Sequence, residues 1–362
     1  MNICYISNSA APSRNASSLQ IAKLCEALSY EGHSVSLIIP NTGNLKQNFF
    51  KYYDIKNKYK LIRIKYFDKF PRGLLYYLYS ITSVLKSKIR DQNLYITRNF
   101  FTSFILSFLK KKHILDIHDD IGIEGRIIKF FIKNLKILNN KNLIKIITTT
   151  HSLKKRYTKA YKVPRNKVKV LHNGSYIESK FKVYNSKKKI NKIGYFGSVY
   201  ESRGIKMIIR LSKIDKNNKY YIFGGSKSDN LNFKKQCNHN NINFKSYVPY
   251  SKIKRELGKI DICILPYSKK ITVSGNVGNI YKYTSPLKIF DYMKCGKLII
   301  CSNLKVLREV LKNNVNSILI DDYSEINSWI KEIAKIKKNR KKFNNLRYNG
   351  FNYANKYDMR WR

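Results

Sequence analysis

The sequence is poor in acidic residues. Among its 362 residues, 22 are Asp or Glu and 72 are Lys or Arg, so the formal net charge is +50. A biased base composition of the gene can account for part of the lysine, but not for the shortage of acids. A charge of this size attracts polyanions, which include nucleic acid, an anionic membrane face and phosphorylated substrates. We therefore expect an anionic partner and leave its identity open.

Metal-type cysteine spacing and long apolar runs are also missing. The six cysteines have no metal-ligand spacing and most lie in apolar runs, which predicts buried thiols in a reducing compartment and no metal site. No window holds the roughly 18 uncharged apolar residues of a membrane-spanning helix. The first residues have no basic region ahead of an apolar core. These absences predict a cytoplasmic protein.

Short β-branched and aromatic runs alternate with helical patterns along most of the chain, which predicts an α/β fold with parallel sheets. Strands are predicted at residues 2–7, 34–39, 61–66, 93–97, 113–117, 144–149, 168–171, 192–196, 219–223, 243–247, 261–265, 298–301 and 317–320. Helices are predicted at residues 17–29, 73–89, 125–139, 152–161, 205–213, 251–257, 286–295, 305–312 and 324–337.

The length and a break in this alternation predict two doubly wound domains. The break is a polar, lysine-rich stretch that we interpret as a linker at residues 178–190. The domains are then residues 1–177 and 191–338, followed by a helical tail at 339–362. Ligands of such sheets bind outside the carboxyl ends of the strands, so the active site is expected in a cleft between the domains.

The stretch YTSPLKIFDYMKCGK, residues 283–297, combines helix signals with charged residues. Ser285 is a good N-cap, Pro286 suits the first helical position, and Gly296 is a natural stop. The first turn of such a helix carries unpaired N–H groups and the positive end of the helix dipole. A phosphate can bind at this helix start.

Two charged side chains on this helix indicate a nucleotide. Lys288 lies beside the expected phosphate, and Asp291 follows three residues later on the same face. A carboxylate cannot help to bind phosphate, but it accepts hydrogen bonds from ribose hydroxyls. The alternative is that Ser-Pro only starts a helix, Lys288 is solvated and Asp291 pairs with it.

A second glycine-containing turn occurs in IGYFGSVYESRG, residues 193–204. A strand is expected to end at Gly197, and a loop carries Arg203 and Gly204 into the next helix. Glycine allows close backbone approach, and arginine can bind a diphosphate through its two-pronged guanidinium. Alone this signal is weak, because such turns are common in α/β proteins.

The order and spacing of several motifs resemble the GT-B glycosyltransferases of family 4, from Met1 to about Trp329. The motifs are ICYISNSAAPS, EGHSV, LYITRN, LDIHDD, VLHNG, IGYFGSVYESRG, FGG, ICILPY and SPLKIFDYM followed by GKLII. The resemblance implies a GT-B fold of two Rossmann-like domains facing a central cleft. It also implies retaining transfer of a sugar from a nucleotide-sugar donor.

The resemblance assigns roles to individual residues. The expected catalytic residues are His118 near the transferred sugar, with Arg203 and Lys288 at the diphosphate. The expected donor-binding residues are Gly197, Ser198, Arg203, Pro286, Leu287, Lys288 and Asp291, with Asp291 at the ribose. Ser13, Arg14 and Asn15 belong to a loop expected to approach the phosphates or the acceptor. Residues 1–177 then form the acceptor and membrane side, and residues 191–338 bind the nucleotide sugar.

Two positions depart from the family pattern. Tyr283 stands where a glutamate assigned to the donor sugar is frequent, and Ser198 replaces a frequent arginine. The identity of the donor sugar therefore stays open. We hypothesise that Lys288 supplies the charge that Ser198 lacks. The nucleotide sugar is a co-substrate, and no further cofactor is expected.

A basic amphipathic segment at residues 126–145 is compatible with an anionic membrane surface. Its expected membrane-facing residues are Lys129, Phe131, Lys133 and Lys136, and residues 69–90 add aromatic side chains suited to the headgroup layer. Both stripes can equally be core-facing helix surfaces. A lipid-linked glycan or lipopolysaccharide core precursor as acceptor, on the inner face of the cell membrane, explains charge and fold together.

Two other functions remain open at this point. A basic nucleic-acid-binding protein would use the same charge, although no helix-turn-helix, zinc or single-strand recognition signature is present, so no specific nucleic acid is expected. A nucleotide-sugar epimerase of related architecture would consume the donor without an acceptor.

Overall fold

The computed structural model describes residues 1–42, 47–65, 72–87, 93–120, 130, 137–185, 189–272 and 278–358. These residues pack into two compact units, 1–172 and 173–358. Each unit has one sheet in which all paired strands run parallel. None of the helices within these ranges is both long and apolar enough to cross a membrane.

The first unit is built on a seven-stranded sheet with the order β3-β2-β1-β4-β5-β6-β7. The strands are β1 (Asn2–Ile6), β2 (Ser34–Pro40), β3 (Lys60–Ile64), β4 (Leu94–Thr97), β5 (His113–Ile117), β6 (Leu143–Thr148) and β7 (Val168–Val170). The described α-helices are α1 (Ala16–Tyr30), α2 (Phe49–Tyr52), α3 (Arg72–Ser87), α4 (Phe100–Phe108) and α5 (His151–Ala160).

The second unit is built on a six-stranded sheet with the order β10-β9-β8-β11-β12-β13. The strands are β8 (Lys192–Phe196), β9 (Lys219–Phe223), β10 (Ile242–Lys245), β11 (Ile262–Leu265), β12 (Leu298–Ser302) and β13 (Ile318–Ile320). The described helices are α6 (Ile205–Ile214), α7 (Lys227–Lys234), α8 (Tyr250–Gly258), α9 (Leu287–Lys294), α10 (Ile326–Lys338) and α11 (Arg340–Asn355).

The parallel strands follow from the apolar runs of the sequence. The four residues of β11, ICIL, and the five residues of β12, LIICS, are all buried. Strands covered on both faces need such nearly continuous apolar stretches. All thirteen strands predicted from the sequence are confirmed, with ends that differ by no more than two residues. The predicted α/β class is confirmed as well.

One helix prediction is wrong, and three helices were not predicted. Residues 305–312 form only a short 3₁₀ turn, Leu307–Glu309, because Asn316 bonds to the N–H of Lys312 and the carbonyl of Val310 and replaces the helical ladder. The helices that were not predicted are α2, α4 and α7. The predicted helix at 125–139 lies mostly outside the described residues, and its last three residues are a 3₁₀ turn.

The C-terminal helix α11 packs against α9 and holds the end of that helix. The buried Arg347 on α11 donates from Nε to the carbonyl of Gly296 at 2.7 Å and from Nη2 to the carbonyl of Lys182 at 3.0 Å. Its guanidinium also lies 5.2 Å from the ring centre of Phe343. The charge is therefore buried with its donors satisfied, as stability requires.

We expect Gly204→Ala to lower the free energy of unfolding by about 3 kcal/mol. Gly204 has a φ of +77° at the start of α6, and an added Cβ would overlap the carbonyl oxygen of Pro266. Gly258→Ala is the matched control, because no atom lies within 4 Å of its added Cβ. Denaturant unfolding of both variants measures the difference. Equal stabilities of the two variants would contradict the assignment.

Candidate functional site

The candidate site of the second unit lies at the carboxyl edge of its sheet, where the strand order reverses. From β8 the chain continues to β9 on one side, whereas β11 pairs with β8 on the other side. The connections that leave β8 and β11 therefore run in opposite directions and leave a crevice at this point. Gly197 directly follows β8, and Pro266 and Tyr267 directly follow β11.

Lys288 on α9 is held against a buried tyrosine of β8. Its Nζ donates to the hydroxyl of Tyr195 at 2.9 Å and lies 4.1 Å from the centre of the same ring. Gly197 makes room for this ammonium, because a Cβ at Gly197 would overlap Lys288 Nζ. Burial, together with the positive charge of Arg203, lowers the pKa of Lys288 well below its ordinary value.

Arg203 is the second cation of the site. Its Nη2 donates to the carbonyl of Thr272 at 2.9 Å, and its Cζ lies 5.7 Å from the ring centre of Tyr267. Lys288 Nζ lies 5.8 Å from the centre of the same ring. Within the described residues, neither cation forms an ion pair with a carboxylate. Two partly buried cations without a counter-ion make a site that favours an anion.

The loop after β8 is fixed by the same tyrosine that contacts Lys288. The hydroxyl of Tyr195 donates to the carbonyl of Ser198 at 2.9 Å. Ser198 itself brings no charge to the loop, and Lys288 is the cation that lies next to Gly197. The hypothesis that Lys288 supplies the charge that Ser198 lacks stays a prediction.

Asp291 lies one turn further along α9, and its Oδ1 accepts two hydrogen bonds. The donors are Ser175 Oγ at 2.7 Å and the Tyr250 hydroxyl at 3.2 Å. Burial raises the pKa of Asp291 to about 6, although both hydrogen bonds act in the opposite direction. The alternative in which Asp291 pairs with a solvated Lys288 is wrong, because the two side chains have these separate partners.

The start of α9 differs by one residue from the sequence prediction. Pro286 occupies the N-cap with a ψ of 119°, so the helix begins at Leu287 and Ser285 is not the cap. The carbonyl of Ser285 instead accepts a hydrogen bond from Asn173 Nδ2 at 2.6 Å. The N–H groups of Leu287 and Lys288 thus open the helix, where they lack intrahelical acceptors.

The predicted histidine His118 belongs to the first unit and directly follows β5. Its Nε2 lies 3.1 Å from Asp116 Oδ2, which also accepts a hydrogen bond from Arg98 Nε at 3.0 Å. Arg98 follows β4, the strand at which the order of this sheet reverses. The carboxylate therefore orients the imidazole at the carboxyl edge of the first sheet.

The predicted loop residues Ser13, Arg14 and Asn15 lead into α1. The backbone N–H of Ser13 donates to the hydroxyl of Tyr53 at 2.8 Å, and Ser13 Oγ lies 2.9 Å from Ser18 Oγ. Arg14 and Asn15 are exposed. Tyr53 thus ties the loop to α2, and the loop's role in binding stays a prediction.

The predicted site residues are divided between the two units. Gly197, Ser198, Arg203, Pro286, Leu287, Lys288 and Asp291 lie in the second unit, whereas His118, Ser13, Arg14 and Asn15 lie in the first. The proposed membrane residues Lys129, Phe131, Lys133 and Lys136 fall outside the described residues. Tyr195, Tyr267, Ser175 and Tyr250 were not predicted, because no local motif marks a residue whose partner lies far away in the sequence, such as Ser175 and Asp291, 116 positions apart.

Two protein-family models match the chain over adjoining ranges. Residues 18–178 match the family described as Glycosyltransferase Family 4, and residues 177–353 match the family described as Glycosyl transferases group 1. None of the curated proteins matches the sequence.

Solved structures with the same fold cover nearly the whole chain. HepE of Anabaena, in complex with UDP and glucose, has a TM-score of 0.71 at 13% identity and covers 99% of this chain and 96% of its own. Sucrose-phosphate synthase of Thermosynechococcus elongatus has a TM-score of 0.72 at 13% identity, covering 98% and 94%. The lipopolysaccharide outer core galactosyltransferase WaaB has a TM-score of 0.63 at 11% identity, covering 98% and 99%.

We expect the affinity for a nucleotide sugar, whose two esterified phosphates do not titrate near neutral pH, to fall as the pH is lowered through about 6, the pKa of Asp291. Only the ionised carboxylate accepts hydrogen bonds from both ribose hydroxyls, and it is present above that pKa. Asp291→Asn should bind roughly tenfold more weakly at neutral pH and lose this pH dependence.

Ser175→Ala should move the midpoint of the affinity change to higher pH, because it removes a hydrogen bond that stabilises the ionised carboxylate of Asp291. Calorimetric titrations check both, and a pH-independent wild-type affinity would refute the role of Asp291.

We expect Tyr195→Phe to weaken the binding of a nucleoside diphosphate roughly fivefold to tenfold. The variant keeps the ring under Lys288 but loses the hydrogen bonds to Lys288 and to the Ser198 carbonyl. Tyr220→Phe is the matched control, since Tyr220 is equally buried in the neighbouring strand and bonds Asp215 instead. The two variants should lose similar stability, and only the first should lose affinity. Equal affinities would show that Tyr195 is merely structural.

Proposed function

We propose, from the premise that this chain is a GT-B glycosyltransferase resembling family 4, that it transfers a hexose from a nucleotide-sugar donor with retention of anomeric configuration. The acceptor is a glycan or lipid-linked glycan of cell-surface polysaccharide or lipopolysaccharide synthesis, at the inner face of the cell membrane. The observation that carries this proposal is the pair Arg203 and Lys288 at the switch point of the second sheet, two cations that pair with no carboxylate in the described part of the chain.

The donor diphosphate fits this pair. A diphosphate brings the negative charge that the two cations lack, and arginine can bind it through two parallel hydrogen bonds. The N–H groups that open α9 add further donors, and the helix dipole adds positive potential there. Asp291, three residues after Lys288, is the expected acceptor for the ribose hydroxyls. In this assignment one helix binds both parts of the nucleotide.

The same groups lower the barrier of the transfer. The bond between the anomeric carbon and the diphosphate oxygen breaks, and negative charge develops on the leaving diphosphate. Arg203, Lys288 and the helix N–H groups are already oriented by Thr272, Tyr195 and the backbone, so little reorganisation is needed. We propose that these cations supply the counter-charge and that the nucleotide sugar is the co-substrate, with no further cofactor. The role of His118 at the sugar stays a prediction.

Similar proteins support a choice of first donors and acceptors to test. HepE is described with UDP and glucose and WaaB as a lipopolysaccharide outer core galactosyltransferase. UDP-linked hexoses are therefore the first donors to try, and a membrane extract is the first source of acceptors. Tyr283, in place of a frequent glutamate, leaves the choice among hexoses open.

The test is product analysis by mass spectrometry after incubation with UDP-hexoses, with and without a membrane extract. We expect sugar transfer to a component of the extract, and roughly 10- to 100-fold weaker donor binding in Lys288→Ala, since a hydrogen bond to a charged group is lost. Lys297→Ala is the matched control, because this lysine follows the same helix but bonds the carbonyl of Ile260.

Three other outcomes would overturn the proposal. An isomerised nucleotide sugar formed without the extract would indicate an epimerase. If the protein binds nucleic acid and binds no nucleotide sugar, it is a nucleic-acid-binding protein that uses the positive charge of the chain. An unchanged donor affinity in Lys288→Ala would refute the assignment of the donor site. An inverted anomeric configuration of the product, by nuclear magnetic resonance, would refute retention alone.

A further inference from the structure

Helices α3 and α4 of the first unit bury apolar core residues such as Val84 and Leu106, but their polarity pattern is unusual in two respects. Their buried positions include small hydroxyl residues, and their exposed positions include large apolar ones. The buried hydroxyl residues are Ser80, Ser83 and Ser87 of α3, and Thr102, Ser103 and Ser107 of α4. An exposed apolar face is the informative deviation from the usual arrangement of a soluble domain.

The buried hydroxyls of α3 are satisfied inside the helix. Ser80 Oγ donates to the carbonyl of Tyr76 at 2.8 Å, and Ser83 Oγ donates to the carbonyl of Tyr79 at 2.6 Å. On α4, Ser103 Oγ lies 2.8 Å from Nε2 of the buried His113. Thr102 Oγ1 and Ser107 Oγ of α4 are buried without a hydrogen-bond partner among the described residues, so only the buried hydroxyls of α3 and that of Ser103 are satisfied.

The apolar face of α3 is formed by Leu78, Ile81 and Leu85, which are 37%, 41% and 55% exposed. Their spacing of three and four residues places them on one side of the helix. On α4, Phe108 is 76% exposed. Phe101 and Phe104 precede it at the same helical spacing.

The two apolar faces adjoin each other. Helices α3 and α4 pack together, and the ring centres of Tyr77 on α3 and Phe101 on α4 are 4.6 Å apart in an edge-to-face contact. We call the surface made by Leu78, Ile81, Leu85 and Phe108 the apolar face of the first unit.

The rim of the apolar face is basic. Neither α3 nor α4 contains an acidic residue. Lys86 is exposed on α3, and Lys110, Lys111 and Lys112 are exposed directly after α4. Leucine, isoleucine and phenylalanine side chains bordered by lysines are the composition of elements that lie in the interface of an anionic bilayer.

We propose that the apolar face of the first unit docks on an anionic phospholipid bilayer. A second copy of the chain is a poor occupant, because each copy carries a net charge of +50 and the copies repel each other. The bilayer offers the opposite charge and an apolar layer at once. The surface deepens the proposed function, since it states which part of the chain contacts the membrane that holds the acceptor.

The test is flotation of the full-length protein with vesicles of phosphatidylcholine, with and without phosphatidylglycerol. The variant replaces Ile81, Leu85 and Phe108 by serine, and the matched control replaces Ile214, Leu231 and Val315 by serine, which are 55%, 58% and 53% exposed in the second unit. We expect the wild type and the control to float with the anionic vesicles. The variant should partition roughly tenfold or more weakly.

Two results would overturn the proposal. One is equal vesicle binding of the variant and the wild type, or no binding of the wild type. The other is a wild-type dimer, seen by analytical ultracentrifugation, that the variant abolishes, since the occupant would then be a second copy. Thermal unfolding and donor binding of each variant show that it is folded. A variant that loses vesicle binding but keeps its donor affinity supports the docking surface independently of the proposed function. If the wild type, the variant and the control all fail to bind a donor, only the proposed function is contradicted.

Discussion

The candidate site depends on the placement of two cations at the edge of the second sheet. Arg203 and Lys288 approach the same ring of Tyr267, and no carboxylate among the described residues pairs with either. Burial and, to a smaller extent, repulsion by the positive charge of Arg203 depress the pKa of Lys288. A bound anion offsets the repulsion. The site is therefore arranged for a ligand that carries concentrated negative charge.

Neighbouring residues explain how the fold holds this unfavourable pair in place. Tyr195 and Tyr267 are completely buried and keep the cations against aromatic surface. Gly197 leaves the space that the ammonium of Lys288 fills, and Gly204 lets the chain pass the carbonyl of Pro266. The two tyrosines, the two glycines and Pro266 lie in strand β8 or in the loops that follow β8 and β11, where the sheet order reverses. The topology thus fixes the position of the site, and individual side chains fix its charge.

Much of the fold could be predicted from the sequence, because parallel strands need nearly continuous apolar runs and those runs are visible. Helix α9 was also visible in the Pro286 region, although its start was placed one residue early. Helix α7 carried a readable signal that the prediction left out, since Ser226 and Asp229 form a capping box. Helix α4 gave no usual pattern, because it buries serine and threonine and exposes phenylalanine. The contact between Tyr195 and Lys288 joins residues 93 positions apart, so no local motif could reveal it.

The most direct measurement is the number of protons taken up when a nucleoside diphosphate binds, from calorimetry in two buffers of different ionisation heat at several pH values between about 7.5 and 10. Asp291 is already ionised in this range, whereas the pKa of Lys288 is depressed and should rise when phosphate binds beside it. We predict net proton uptake within this range in the wild type and none in Lys288→Met. Binding of equal strength without proton uptake would contradict the assignment of Lys288 to the diphosphate.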